Sequence, residues 1–454
     1  MGSFLVKKGF DIDLSGKPLP ELSAHALVST RACLYPREFV GLKQRLKVEE
    51  GDSVARGTEL VEDKRDERFK LRSPAGGTVK TIIRGQRRFV EQIVIDIDDE
   101  ERVEEFESYG AGQMSGLDRD TILNQLINTG YLAFIRQRPF SKIADPGAVP
   151  KSIFVNGMNT APFQVDAGVA VCQDGAAFQA GLDLLGCLTD GPVHLCVGHD
   201  AGAELISANG VEVHMFSGQH PSGNTSVHIS RLDPIVPHDV VWTVQAADLV
   251  LIGRLFLDGV LPQTRVVSLG GPGTKDEARK HYLLRIGGDM DALLPDAVLD
   301  GEMRYVSGDI LSGTATGAND CLRFYQSSTV ILPEGRDRVF LGWLAPGFDA
   351  LTASRAYVSS WLARKTPWNL DTNRHGDRRA LVLTGYYDKV MPMNIMVDYL
   401  LRAVLAGDND EAISLGILET DPEDFALCEF ICPSKTKIQE IIRDGLGRIE
   451  EEGL

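Results

Sequence analysis

The sequence predicts a multidomain protein that mixes α/β and α+β architecture, and three observations carry that reading. Short β-branched runs broken by Gly-Asp and Pro-x-Gly turns crowd residues 40–98, as in a compact all-β module. From Ser152 onward, apolar strands alternate with amphipathic helical stretches, the pattern of a largely parallel sheet covered by helices. Beyond Gly335 helical periodicity takes over.

Composition narrows the function classes. With 454 residues the prior is about three domains. Hydrophobic residues at 43% and charged residues at 24% supply enough apolar surface to offset chain entropy, so a disordered chain is excluded. A formal net charge of −17 repels a phosphate backbone and argues against nucleic-acid binding. The most apolar long stretch, Val240 to Leu261, is broken by Gln245, Asp248, Arg254 and Asp258, so no membrane-spanning helix is expected. The start, Met1-Gly2-Ser3-Phe4-Leu5-Val6-Lys7-Lys8, lacks the apolar core of a signal peptide, and a cytoplasmic location is expected. Seven scattered cysteines do not make a disulfide framework, and Cys172, Cys187 and Cys196 are expected as plain buried thiols.

Element by element, the all-β module comes first. Gly51-Asp52-Ser53-Val54, Gly57-Thr58-Glu59-Leu60 and Ser73-Pro74-Ala75-Gly76-Gly77-Thr78-Val79 resemble a biotinyl/lipoyl barrel-sandwich domain. Carriers of that type hold their cofactor on a Met-Lys pair at a hairpin tip. Here Glu62-Asp63-Lys64-Arg65 has no such Met, so Lys64 is expected on a solvated charged hairpin and a lipoyl or biotin carrier is the alternative. Asp118 to Gly130 is predicted as a helix, capped by the carboxylate and stopped by the glycine. Tyr131 to Lys142 mixes aromatics, cations and Pro139, a set able to form an apolar slot with donors at its mouth or to face a partner. Strands are predicted at Ser152–Gly157, Val193–Val197, Val211–Phe216, Asp248–Gly253 and Arg265–Leu269, and a helix at Gly175–Leu185.

Phosphate-cradling signals are missing. The cluster Gly270-Gly271-Pro272-Gly273 carries proline in its turn and follows a late strand, unlike a dinucleotide loop. Ser217 to His228 reads as a structured loop with hydrogen-bonded histidines, and no metal site is expected. Residues from Lys280 to about Ser328 suit a small β-grasp-like insert. Pro392 to Leu405 is predicted as a helix with proline in its first turn and Gly407 at its end. Near the C-terminus, Cys428, Cys432 and Pro433 match the end of a ferredoxin cluster motif, while Pro422 and Phe425 occupy its first two cysteine positions. Cys428 and Cys432 are therefore read as a degenerate cluster motif whose cysteines pack.

These pieces together resemble one family along nearly the whole chain. The matching stretches are Val6-Lys7-Lys8-Gly9-Phe10-Asp11-Ile12, Arg138-Pro139-Phe140-Ser141-Lys142, Gly218-Gln219-His220-Pro221-Ser222-Gly223, Gly342-Trp343-Leu344-Ala345-Pro346-Gly347, Val390-Met391-Pro392-Met393 and Cys428 to Pro433. They are similar to the A subunits of the bacterial Na⁺-translocating NADH:quinone oxidoreductase (the NQR complex), themselves akin to the flavin- and NADH-binding subunit of respiratory complex I. The resemblance implies an N-terminal region at 1–110 holding the barrel-sandwich module and a helical connector at 111–150. It further implies a Rossmann-like α/β domain at 151–275, a β-grasp domain at 276–334 and a mainly helical C-terminal domain at 335–454. It implies a translocase subunit, not catalytic alone, on the cytoplasmic face of the inner membrane, with ubiquinone as the substrate of the complex. NADH, flavins and Fe–S clusters are then expected in other subunits, none resident here. The main partner is expected to be an integral membrane subunit. A flavin-dependent NADH dehydrogenase is the competing enzyme reading, disfavoured by the absent glycine-rich loops. A quinone needs an apolar slot for its tail and donors for its carbonyl oxygens as charge develops on reduction. Leu34, Tyr35, Phe134, Arg136, Arg138, Phe140 and Lys142 are the candidate suppliers, with aromatics stacking on the ring and Arg138 or Lys142 stabilising the charge that develops on reduction.

Overall fold

A computed structural model describes residues 2–453 apart from 25, 237, 295, 319, 338–339 and 363–365. The side chain of Trp343, part of one matching stretch, also lies outside the described residues.

Residues 31–97 form the barrel-sandwich. A four-stranded sheet (Arg31–Leu34, Val90–Ile97, Gly77–Arg84, Ser53–Val54) and a three-stranded sheet (Gln44–Leu46, Glu59–Asp63, Lys70–Arg72) share one apolar interior. Strand alternation places Val79, Ile93, Ile95, Leu60 and Leu71 inward, each essentially fully buried. Lys64 stands exposed at the turn after Asp63.

The centre of the molecule is a seven-stranded sheet. Its order is Gly2–Val6, Glu212–Gly218, Val193–Gly198, Ser152–Gly157, Val241–Gln245, Arg136–Arg138, Lys142–Ile143. The first five strands run parallel and the last two form an antiparallel hairpin at the edge. Ser152–Gly157 and Val193–Gly198 are buried along their whole length, as a strand covered on both faces must be. The chain adds two strands on one side of Ser152–Gly157 and then crosses to its other side at Val241–Gln245. The sheet's switch point therefore lies between those two strands.

Helices Gly175–Gly186 and Ala246–Asp258 cover one face and approach closely at Gly181 and Gly253. A Cβ on Gly253 would collide with the Ala177 carbonyl oxygen, so the crossing requires glycine there. Helix Arg119–Thr129 begins where Asp118 accepts from the Thr121 amide and ends at Gly130, held at φ +77°.

Several expectations need correction. Arg265–Leu269 reads as a further strand of the parallel sheet. Strand Thr264–Gly270 instead joins a five-stranded sheet of order His281–Arg285, Thr264–Gly270, Ser328–Pro333, Met303–Ser307, Thr314–Thr316. Asp248–Gly253 reads as a strand but lies in helix Ala246–Asp258, because a buried helix and a buried strand have the same apolar signal. The stretch 111–150 is not wholly helical, since Arg136–Ile143 forms the edge hairpin. The helix predicted from Pro392 starts at Val397, and among the described residues regular α-helix in the C-terminal region begins only at Tyr387. Cys172 is exposed and Cys187 half-buried, leaving only Cys196 of the three in the core. Cys33 and Cys321 are paired as a disulfide, with Cα atoms 5.8 Å apart. Sequence separation hid this pair, which forms because the strand Arg31–Leu34 docks on the loop through Gly287 and Asp289.

Candidate functional site

The cleft forms where the sheet's switch point meets two other elements. Its volume is about 340 Å³. Asn156 and Gln245 line it from the carboxyl ends of Ser152–Gly157 and Val241–Gln245. In open α/β sheets this crevice is where ligands bind, because the strands diverge and the loops leave a concavity. Ser312, residues 325–327, Asp421 to Glu423, Gln439 and Arg443 complete its lining.

The segment Phe134–Ser141 supplies part of the cleft's aromatic and cationic lining. Phe134 ends the short 3₁₀ turn Tyr131–Phe134 and is buried. Its ring stacks on Phe324 with centroids 4.4 Å apart. Arg136 places its guanidinium 4.9 Å from the Tyr325 ring centroid and donates to the Ser141 carbonyl. Arg138 is only 5% exposed and sits 3.0 Å from Asp421 Oδ2. Its Nε has no acceptor among the described residues, and Gln245 Oε1 likewise lacks a partner. Two polar groups of the cleft therefore carry unused hydrogen-bonding capacity.

Acidic side chains crowd the same wall. Burial disfavours the ionised form of Asp421, but the Arg138 guanidinium, the Ser141 hydroxyl and the Glu423 amide outweigh it and hold this carboxyl below its ordinary range. Glu423 goes the other way. It keeps solvent access in the cleft, yet its depth in the protein and the carboxylates of Asp421, Asp309 and Asp424 push it up. Asp424, buried, accepts from Asn224 Nδ2 and from the Asp421 amide, and is also raised, chiefly by burial. A carboxyl with a raised pKa beside an arginine is a proton donor placed next to a cation. Deeper still, Arg265 Nη2 meets Asp248 Oδ1 at 2.6 Å, and burial raises the Asp248 carboxyl despite the arginine.

The candidate residues divide between places. Phe134, Arg136 and Arg138 line the cleft together. Leu34 and Tyr35 line a second cavity of about 40 Å³, bounded also by Tyr131 and Phe324. That volume holds a few waters and no quinone ring. Tyr35 Oη accepts from the Cys321 amide and from Gln92 Nε2, and burial pushes the phenol up to about 12. The stacked Phe134–Phe324 pair stands between the two cavities. Phe140 and Lys142 are not in the cleft lining. Phe140, at φ +77°, packs against the core that carries the C-terminal helices, and Lys142 Nζ pairs with Glu450 at 2.7 Å on helix Ile438–Glu452. Those two residues fasten the edge hairpin to the C-terminal region.

The cysteine pair is buried. Cys428 lies in helix Ala426–Ile431 and Cys432 at its end, 3.0 Å from the Tyr387 hydroxyl, with burial pushing the Cys428 thiol up. His220 and His228 are hydrogen-bonded core residues, touching Thr160 Oγ1 and the Ser222 carbonyl, and burial pushes both down to about 4. Sequence reasoning missed Tyr325, Gln245, Asp421 and Glu423. The one local signal was the acidic run Asp421-Pro422-Glu423-Asp424 directly before the cysteine motif.

Family models match three stretches: the NqrA N-terminal barrel-sandwich hybrid domain over residues 4–98, the NqrA second alpha/beta domain over 117–261, and the NQRA C-terminal domain over 266–317. Among curated relatives, the A subunit of the Na(+)-translocating NADH-quinone reductase of Klebsiella pneumoniae (strain 342) is 39% identical over 456 residues, covering 99% of both chains. The chain belongs to the NqrA family. Proteins of the same description from Pasteurella multocida (strain Pm70) and Alcanivorax borkumensis are 38% and 37% identical, again over 99% of each chain. The barrel-sandwich expectation thus holds for the N-terminal part of this NqrA chain. None of the described helices is long and apolar enough to cross a membrane.

Proposed function

We propose that this chain serves as the A subunit of a Na⁺-translocating NADH:quinone reductase and that its central cleft receives the quinone head group. The observation that carries this reading is the convergence of Phe134, Tyr325, Arg136 and Arg138 at the sheet's switch point, in a space of about 340 Å³. The aromatic rings offer faces for stacking on a quinone ring. Arg138 Nε offers a hydrogen bond to one of its carbonyl oxygens, and Gln245 Oε1 can accept from the hydroxyl that reduction creates. Reduction to quinol takes up two protons with two electrons, and the raised Glu423 carboxyl is a proton source within the same cleft. Leu34 and Tyr35 act indirectly, supporting the Phe134–Phe324 wall from behind.

The wider reading follows from the family. The seven-stranded unit is Rossmann-like and the five-stranded unit β-grasp-like. The chain sits peripherally on the cytoplasmic face and docks on an integral membrane subunit. It holds no flavin or iron–sulfur cluster of its own, and NADH, flavins and clusters are carried by neighbouring subunits. A short-chain ubiquinone titrated into the full chain, followed by calorimetry, tests the cleft. Ala247→Phe fills the cleft without removing a charge and is expected to abolish binding, while Tyr35→Phe leaves it intact. Unchanged affinity in Ala247→Phe overturns the assignment.

A further inference from the structure

Away from the cleft, three potential metal ligands meet at the far side of the seven-stranded sheet. Glu212 and His214 alternate on strand Glu212–Gly218, so both project from one face. His194 lies opposite Glu212 in the register of the adjacent parallel strand Val193–Gly198 and reaches the same face. His194 Nδ1 is 3.1 Å from His214 Nε2. Glu212 Oε2 is 3.4 Å from His194 Nδ1 and 3.6 Å from His214 Nε2.

These three separations are the edges of a coordination polyhedron. With zinc–nitrogen and zinc–oxygen bonds near 2.0–2.1 Å, the edge of a regular tetrahedron is about 3.3–3.4 Å. The three atoms already stand close to that spacing. The rings are also held in place: Phe154 packs on His194 at 4.7 Å between centroids and Phe4 on His214 at 6.2 Å. The His194 and His214 side chains are 7% and 13% exposed, whereas Glu212 is 61% exposed. An ion can therefore arrive from the solvent side through the carboxylate.

We propose that His194, Glu212 and His214 form a binding site for a divalent cation of the zinc class, with water completing the fourth position. Two imidazoles and one carboxylate favour zinc over calcium or magnesium, which prefer all-oxygen shells. The ion clamps strand Val193–Gly198 to strand Glu212–Gly218, beside the point where strand Gly2–Val6 joins the sheet. The remote nitrogens, His194 Nε2 and His214 Nδ1, have no acceptor among the described residues. Without that outer support the affinity falls below that of sites which have it. This inference is independent of the quinone assignment.

The experiment is zinc titration of the full chain by calorimetry against a competing chelator, followed by cobalt substitution. The wild-type chain is expected to bind one equivalent, with tetrahedral cobalt bands and no thiolate charge-transfer band. Glu212→Gln changes an exposed side chain, so its fold is expected to survive, and its affinity should fall more than about 100-fold, beyond the loss typical of an outer-shell partner. His214→Asn should abolish binding and is checked for folding by circular dichroism. Absence of stoichiometric zinc, unchanged affinity in Glu212→Gln, or a thiolate band placing the metal on cysteines would each overturn the proposal.

Discussion

Asp421→Asn tests the electrostatic wall of the cleft. The Arg138–Asp421 contact is 3.0 Å, with side chains 7% and 16% exposed. At an effective dielectric of about 20, two unit charges at that distance attract by about 5–6 kcal/mol. Part of that attraction offsets the desolvation of both groups. Removing one partner of such a pair, which strands the other charge, costs about 3–5 kcal/mol. Asparagine keeps an oxygen able to accept from the Glu423 amide, so the cap of the turn Pro422–Phe425 survives and the loss reports the carboxylate's contacts with Arg138 and Ser141. The assay is hydrogen exchange on the full chain, read over Ala426–Ile431 and the edge hairpin. Protection there should fall by about 10² to 10⁴-fold. Arg138→Met combined with Asp421→Asn removes both charges and should restore at least half of the lost protection. A loss below about 1 kcal/mol, the range of a solvent-exposed pair, or a double variant no better than the sum of the singles, refutes the reasoning.

Glu423→Gln reports on pH. A carboxyl raised on folding binds its proton more tightly in the folded state, so it weakens stability as pH rises through the raised value. The glutamine variant should therefore be more stable than wild type in mildly alkaline urea unfolding and equal to it near pH 4; no difference at either pH removes the carboxylate crowding from the account. Asp421 has the opposite sign: its contribution is present above the unfolded carboxylate range of about 3.9 and is lost as pH falls through its lower folded value, so acid unfolding of Asp421→Asn should be less steep than that of wild type. Lys142→Met breaks a pair whose members are 34% and 38% exposed, and should cost under about 1 kcal/mol with quinone affinity unchanged. Gly253→Ala would gain about 1 kcal/mol from helix propensity alone, but the collision with the Ala177 carbonyl is worth about 1–3 kcal/mol and wins, so the melting temperature should drop.

Much of the fold is legible because local chemistry announces it. Asp118 and Gly130 mark a helix at both ends, and the Gly-Asp and Ser-Pro turns delimit the barrel-sandwich. What sequence could not show is where a segment goes after it forms. Thr264–Gly270 has the same apolar run as a central strand of the parallel sheet, and only tertiary pairing sends it to the other sheet. Gly2–Val6 joins a strand more than 200 residues away for the same reason. The cleft is similarly half visible. Phe134, Arg136 and Arg138 fall together because they are neighbours in sequence on a turn and an edge strand. Alternation along that hairpin and the left-handed φ of Phe140 turn Phe140 and Lys142 toward the C-terminal helix instead. Tyr325 and Asp421 come from distant segments, and nothing in their own surroundings points to Arg138.

The most direct measurement is density for a short-chain ubiquinone bound to the intact complex that contains this chain. The account predicts the ring between Phe134 and Tyr325, at the carboxyl ends of strands Ser152–Gly157 and Val241–Gln245, within reach of Arg138 and Gln245. Density in the Leu34–Tyr35 cavity with the central cleft empty, or wholly within a neighbouring subunit, contradicts it.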